Sequence, residues 1–313
     1  MSLRRSSRVT TSQKAIDLPT YPKKANKRAK SEETSKVKVE ESQQGLSIGP
    51  EPTPDRDAPK PKNWDVVYDL LRVFREKEKA PVDTVGCERL ADTAATPLEK
   101  RFQTLVALML SSQTKDTVTG ATVAKLKREL DGGLNLQSIL KVEESTLDKL
   151  ISSVGFHTRK ASYIKRTAEI LRDNYAGDIP DTIEGLVSLP GVGPKMGYLT
   201  LQVAWDKNIG IGVDVHVHRI CNRLGWVETK TPEETRKNLQ SWLPKENWKA
   251  INPMMVGYGQ IVCLPRGPRC DICPVSQFCP SSEINKLTKR RKLKTEDSKV
   301  KTEPIEDEPQ LNW

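Results

Sequence analysis

Signals that start helices recur along the whole of residues 60–283, while alternation of apolar and polar residues with period two is almost absent. That pattern confines the ordered part of the chain to helices. Thr96-Pro97-Leu98-Glu99 has the form of a capping box, with proline at the first helical position where its missing N–H costs nothing. Phe102, Leu105, Val106 and Met109 then follow at helical spacing. Leu147, Leu150, Ile151 and Val154 make a second stripe, ended by Gly155, and Ala161, Ile164, Ala168 and Leu171 a third. Asp181-Thr182-Ile183-Glu184 and Thr231-Pro232-Glu233-Glu234 read as two further capping boxes. Connections are short, roughly ten helices fit, and the predicted class is all-α.

The flanks are of another kind. Residues 1–60 and 284–313 are rich in Ser, Thr, Lys, Glu and Pro and poor in large apolar groups. Such segments cannot bury enough surface to offset the entropy of ordering, so both are expected to be disordered tails. Of the formal charge of +10, most lies there: 13 basic against 8 acidic side chains in 1–60, and 8 against 6 in 284–313. The excess favours polyanions, but its placement makes the sum a weak argument for a binding face. The longest apolar stretch, Val106 to Leu110, is far too short to span a membrane, and no secretory segment follows Met1.

The tails carry short signals of their own. Basic runs at Lys23-Lys24 with Lys27, Arg28 and Lys30, and at Lys289-Arg290-Arg291-Lys292-Leu293-Lys294, read as nuclear import signals, phosphate-binding arms or plain solvated charge. The first 16 residues hold Arg4, Arg5, Arg8 and Lys14 with no acidic side chain, which suits a mitochondrial presequence. The expected location is therefore nucleus and mitochondrion. Val37-Lys38-Val39-Glu40, Leu293-Lys294-Thr295-Glu296 and Val300-Lys301-Thr302-Glu303 resemble the acceptor motif for the small ubiquitin-like modifier.

The most informative core segment is Leu189-Pro190-Gly191-Val192-Gly193-Pro194-Lys195-Met196-Gly197, set between two helical stretches. Gly191 and Gly193 let the backbone turn sharply and approach another molecule closely, and Pro194 fits the first position of the second helix. Free amides at that helix start, with the positive end of its dipole, suit a phosphate. Neither a P-loop nor a dinucleotide fingerprint matches the spacing. Lys195 then falls at the second helical position, where a cation opposes the dipole. That placement favours the uncharged amine, the form that attacks a sugar C1′ and makes a Schiff base; a lysine that merely meets phosphate or water is the other reading.

Asp214, in Gly212-Val213-Asp214-Val215-His216-Val217-His218-Arg219, precedes a further helix and reads as its N-cap and as a carboxylate able to assist the lysine. His216 and His218 alternate with valine, which suggests a short extended entry with structural or hydrogen-bonding roles. Cys263, Cys270, Cys273 and Cys279 are spaced C-x6-C-x2-C-x5-C, and four thiolates in one loop hold tetrahedral zinc or an iron–sulfur cluster. Arg266 and Arg269, between the first two of them, are placed to meet a phosphate. Cys87 and Cys221 read as small buried groups.

With hairpin, Lys195, Asp214 and cysteine loop in this order, the chain from about Trp64 to Cys279 resembles the endonuclease III family of base-excision DNA glycosylases. It is most like the eukaryotic members, the fungal ones above all. The resemblance implies a two-domain helix-hairpin-helix glycosylase fold with DNA in the cleft between the domains. A six-helix barrel domain would cover 97–211, and an iron–sulfur cluster domain 64–96 plus 212–283, with the cysteines holding a [4Fe–4S] cluster. It also implies Lys195 as nucleophile, Asp214 as essential carboxylate and Gln113 as the side chain that fills the gap left by an extruded base. Phe156 falls where the family keeps an apolar wedge, although a core aromatic suits the same position. One departure is Val215, where many bacterial members carry threonine, at the loss of a hydroxyl near the carboxylate. The activity implied is that of a bifunctional DNA glycosylase and abasic-site lyase, a monomer acting on oxidised pyrimidines or abasic sites in duplex DNA, with no membrane involved. Two alternatives stand beside it: a monofunctional glycosylase, whose adenine-removing branch generally lacks a lysine at position 195, and a non-catalytic metal-stabilised DNA-binding module.

Overall fold

The computed structural model describes residues 59–284, so the basic runs, the presequence-like stretch and the modifier motifs lie outside the described residues. Within 59–284 there are twelve α-helices, two short 3-10 turns and no strand. In chain order they are α1 (Trp64–Lys77), α2 (Val82–Val85), α3 (Pro97–Ser111), α4 (Asp116–Glu129), α5 (Leu136–Lys141), α6 (Glu144–Leu150), α7 (His157–Asn174), α8 (Ile183–Val187), α9 (Pro194–Ala204), α10 (Val215–Arg223), α11 (Pro232–Trp242) and α12 (Trp248–Ile261). Among the described residues no helix is long and apolar enough to cross a membrane.

The capping boxes at Thr96 and Thr231 are present, each hydroxyl accepting from the backbone N–H three residues on and each glutamate returning to the cap. The third expected box is absent: Thr182 caps α8 and accepts from Gly185 N at 3.2 Å, which moves Glu184 to the second helical position. A threonine hydroxyl one residue later competes for the same role, and it wins here. A box not read from the sequence opens α5, between Asn135 and Ser138. The stripe from Leu147 to Val154 is not one helix, because α6 stops at Leu150. Ile151 and Val154 are buried all the same, in the turn that leads to α7.

Apolar side chains collect in two main clusters. The first is built around α3, buried at every residue from Phe102 to Leu110, with Leu126, Ile139, Leu147, Ile164, Leu171, Leu186 and Leu201 from the surrounding helices. The second joins α1 to α10, α11 and α12 through Leu71, Ile220, Leu239, Ile251 and Met255. Its interior is aromatic: Trp242 meets Trp64 and Trp226 edge-on, with ring centres 5.5 and 6.0 Å apart. Each fully buried leucine, isoleucine or phenylalanine contributes about 1.5–3 kcal/mol over an exposed one. The stretch between α1 and α3 divides its packing, since Cys87 and Leu90 lie against the first cluster while Ala80 and Val82 pack on Val256 of α12.

The chain passes from first cluster to second through 210–213, and buried amides hold this crossing. Gln202 Nε2 donates to Gly210 O at 2.7 Å, Gln240 Oε1 accepts from Ile211 N at 3.0 Å, and Asn252 Nδ2 donates to Gly212 O. A loop buried without such partners would leave its backbone polar groups unsatisfied, at a cost near that of a lost hydrogen bond each.

Candidate active site: a cleft with a lysine and a capping aspartate

The hairpin runs from α8 to α9. Gly191 sits at φ 75°, and a Cβ there would come within 2.4 Å of the Tyr163 ring on α7, so both the backbone and the packing require glycine. Gly193 differs. Its φ is −99° and a Cβ would meet nothing within 4 Å, so no protein atom demands a glycine at this position. It is the N-cap of α9, Pro194 follows at the first helical position, and no side chain caps the helix. The first amides of α9 are thus left without an intrahelical or capping partner.

Lys195, second in α9 and half-buried, lines a cleft of about 1060 Å³. Gln113, Gly193, Asp214 and Val215 line the same cleft. Asp214 caps α10, its Oδ1 accepting from His216 N and Val217 N at 2.9 Å each. Among the described residues its Oδ2 makes no hydrogen bond. Because α10 begins at Val215, His216 and His218 lie in its first turn and not on an extended entry. The cap chemistry of Asp214 outweighs a two-step valine–histidine alternation. At i and i+2 the two rings diverge: His216 Nδ1 lies 3.2 Å from Arg219 Nη2, and His218 Nδ1 lies 2.7 Å from Thr235 Oγ1. Burial holds His216 below the usual histidine range, against the pull of Asp214.

Val215 is 66% exposed at the mouth of the cleft. The aspartate that precedes it is oriented by two backbone amides, so the hydroxyl missing at 215 is not needed to fix the carboxylate. Gln113 is exposed and left-handed, at φ 51°, in the turn between α3 and α4. Phe156 is the left-handed N-cap of α7, at φ 58°, and at 59% exposed it is no core aromatic. It does not line the cleft. Arg266 and Arg269 are exposed on the cysteine loop and also stay out of the cleft, Arg269 Nη1 donating to Ile261 O at 3.3 Å.

Sequence reasoning missed several cleft residues, and read Cys87 only as a small buried group although it is half-buried and lines the cleft. Cys87 and Glu88 line it, and burial pushes the thiol up to about 11 and raises the carboxyl above its ordinary range, the charge of Lys195 opposing both shifts. Asp116, at the first position of α4, accepts from Gln260 Nε2 at 2.7 Å, while Gln260 Oε1 accepts from Val82 N at 3.1 Å. A pair 144 residues apart leaves no local signal.

Cys263, Cys270, Cys273 and Cys279 line one small cavity beside α10 and α12. Three donors reach their sulfurs: Arg223 Nη1 to Cys263 at 3.3 Å, Tyr258 OH to Cys273 at 2.8 Å and Glu283 N to Cys270 at 3.5 Å. Among the described residues no three His, Cys, Asp or Glu side chains are arranged to hold a single metal ion. Arg223 also donates to Leu264 O at 2.7 Å and Pro265 O at 2.9 Å, and Arg219 to Cys263 O at 2.9 Å. Leu264 and Pro265 border the large cleft, so the cysteine loop shapes one of its edges. Cys221 is fully buried.

A helical chain that sets a lysine at an uncapped hairpin helix start, in one cleft with a helix-capping aspartate, has the design of a helix-hairpin-helix DNA repair protein. Residues 106–245 match the HhH-GPD superfamily base excision DNA repair protein family. The chain is 54% identical over 258 residues to the endonuclease III homolog of Schizosaccharomyces pombe, covering 80% of this chain and 72% of that protein. It is 48% identical over 237 residues to endonuclease III-like protein 1 of Gallus gallus, covering 74% and 83%. Among solved structures it is similar to a trapped endonuclease III–DNA covalent intermediate, at 26% identity and a TM-score of 0.59, over 70% of this chain and 96% of that one. A non-covalent endonuclease III–DNA complex matches with the same identity and TM-score, over 73% and 96%. The chain belongs to the endonuclease III family, whose members combine DNA glycosylase and abasic-site lyase activities in base excision repair.

Proposed function

We propose that the cleft excises oxidised pyrimidines from duplex DNA and cuts the strand at the resulting site, with Lys195 as nucleophile and Asp214 as its partner carboxylate. The observation that carries this reading is the placement of Lys195 at an uncapped helix start in the cleft that Asp214 also lines. Phosphates approach Gly191, Gly193 and the free amides of α9, a ready-made anion site. The damaged nucleotide is extruded at a cost of a few kcal/mol, least for a base that already stacks badly.

The Lys195 amine, once deprotonated, forms a bond to C1′ as the bond from C1′ to the base breaks, and the electron pair leaves with the base. Asp214 holds the positive charge that develops on the sugar, and its Oδ2 is the oxygen with room to take the lysine proton. Ring opening gives the imine. Loss of a C2′ proton then expels the 3′ phosphate, and water releases the lysine. Gln113 fills the vacated place in the duplex and Phe156 wedges the stack. Both are exposed residues in left-handed turns, which supports that reading.

Cys263, Cys270, Cys273 and Cys279 would hold the [4Fe–4S] cluster. Four sulfurs around one cavity, with donors aimed at three of them, suit that group. Bound there, the cluster braces the loop and need not change oxidation state. The first apolar cluster would be the core of the barrel domain, 97–211, and the second that of the cluster domain, 64–96 plus 212–283, although Cys87 and Leu90 lie against the first and Ile211 in the second. The tails would direct the protein to nucleus and mitochondrion.

Borohydride reduction of the protein on an abasic duplex tests the lyase. Wild type is expected to give a covalent adduct that Lys195→Gln does not form. An adduct of equal yield with Lys195→Gln, or none with wild type, overturns the assignment.

A further inference from the structure

One buried charge has no part in the chemistry above. Lys160, one turn into α7, is 5% exposed and makes no ion pair among the described residues. Its Nζ donates to Leu110 O and Ser112 O, each at 2.6 Å, and to Thr114 Oγ1 at 3.2 Å. An ammonium has three protons to give, so these acceptors account for all of them. The carbonyls belong to the C-terminal end of α3, where they lack intrahelical partners and the dipole attracts a cation. Burial pushes the Lys160 pKa down to about 8, which still leaves it charged at neutral pH.

The three acceptors flank Gln113 on both sides. Thr114 Oγ1 also accepts from Gly155 N at 3.1 Å and donates to Ser112 O at 3.2 Å. A Cβ on Gly155 would lie 2.8 Å from Gln113 O, so the two loops touch backbone to backbone. Phe156 comes next, and its carbonyl accepts from Lys160 N at 3.0 Å. One side chain therefore ties the turn that presents Gln113 to the turn that presents Phe156.

We propose that Lys160 is a positioning residue for base extrusion, fastening the Gln113 turn to the Phe156 turn so that both side chains enter the duplex as a unit. This rests on the reading of Gln113 and Phe156 as the gap-filling and wedging residues. Lys160 is buried and does not line the cleft, so its role is exerted through the two turns. A misplacement of about 1 Å away from the chemistry can lower a rate on the order of 100-fold.

The test compares two single-turnover rates: excision of an oxidised pyrimidine from a duplex, and cleavage at an abasic site in single-stranded DNA, where no base need be extruded. Lys160→Met keeps the apolar stem and removes the charge. It is expected to slow duplex excision on the order of 100-fold and to leave single-strand cleavage near wild type, with Lys160→Arg restoring part of the loss. Combined with Gln113→Ala and Phe156→Ala it should add little, because the three act together. Equal losses in both reactions, or a fully additive loss, mark Lys160 as general scaffold and overturn the proposal. A wild-type rate for Lys160→Met beside a slow Gln113→Ala overturns the role of Lys160 alone. Wild-type rates for both Gln113→Ala and Phe156→Ala overturn the extrusion reading itself. Should Lys160→Met not fold, Thr114→Val cuts the same junction with the lysine in place, and the same ratio of rates decides.

Discussion

Asp214 caps α10 through one carboxylate oxygen, which takes both amides. That division lets a single carboxylate start α10 and serve the cleft, and it separates the two roles experimentally. Asparagine ranks with aspartate as a cap, so Asp214→Asn should melt within about 0.5 kcal/mol of wild type, the range of a substitution that breaks no structural feature. Turnover should fall by about 10²–10⁴, the range of a lost general acid or base, while duplex affinity changes little. Asp214→Ala should show the same kinetic loss and lose about 1 kcal/mol of stability as well. Thermal melts, single-turnover rates and titration with abasic duplex on the same preparations decide it. A parallel collapse of affinity and turnover in Asp214→Asn would reduce the residue to a cap.

At the scale of elements the hairpin makes a sharper prediction, because its two glycines are required for different reasons. Gly191→Ala must adopt a positive φ and push against Tyr163, a strain of about 1–3 kcal/mol, so both melting temperature and DNA affinity should drop. Gly193→Ala meets no protein atom, so it should melt like wild type and still bind duplex several-fold more weakly, the methyl occupying space that a phosphate needs. Equal affinity for Gly193→Ala and wild type would move the phosphate contact elsewhere.

Most helices, and the order of hairpin, lysine, aspartate and cysteines, were legible because capping and turn signals are local. The failures were local contests too. Thr182 displaced Asp181 as a cap, and Asp214 turned His216 and His218 into a helix. Lys160 was readable but passed over: it stands four residues before Ile164 on the stripe through Ala168 and Leu171, a core position filled by a cation. Gln260, Asn252 and Arg223 were not readable, since their partners lie 40 or more residues away.

For the molecule as a whole, the cysteine loop belongs energetically to one of the two apolar clusters. Val275 is buried in the second, and Cys263, Cys273 and Phe278 pack against it, whereas none of these residues joins the first. Tyr258 fastens α12 to Cys273, and Arg223 fastens α10 to Cys263 and to the backbone beyond it. Structural metal sites contribute to folding outright, so if the four cysteines hold the proposed [4Fe–4S] group, its loss should loosen what the loop is tied to and spare what it is not. Cys273→Ser should therefore lose visible colour and open amides of α10 and α12 to hydrogen exchange, while those of α3 and α7 keep their protection. Because Leu264 and Pro265 border the cleft, duplex binding should weaken in the same variant. Its abasic-site adduct, driven by Lys195 from the first cluster's side, should still form at high DNA concentration. Exchange that rises equally in α3 and α10 would show that the two apolar clusters unfold as one cooperative unit, and that the cysteine loop stabilises the entire core.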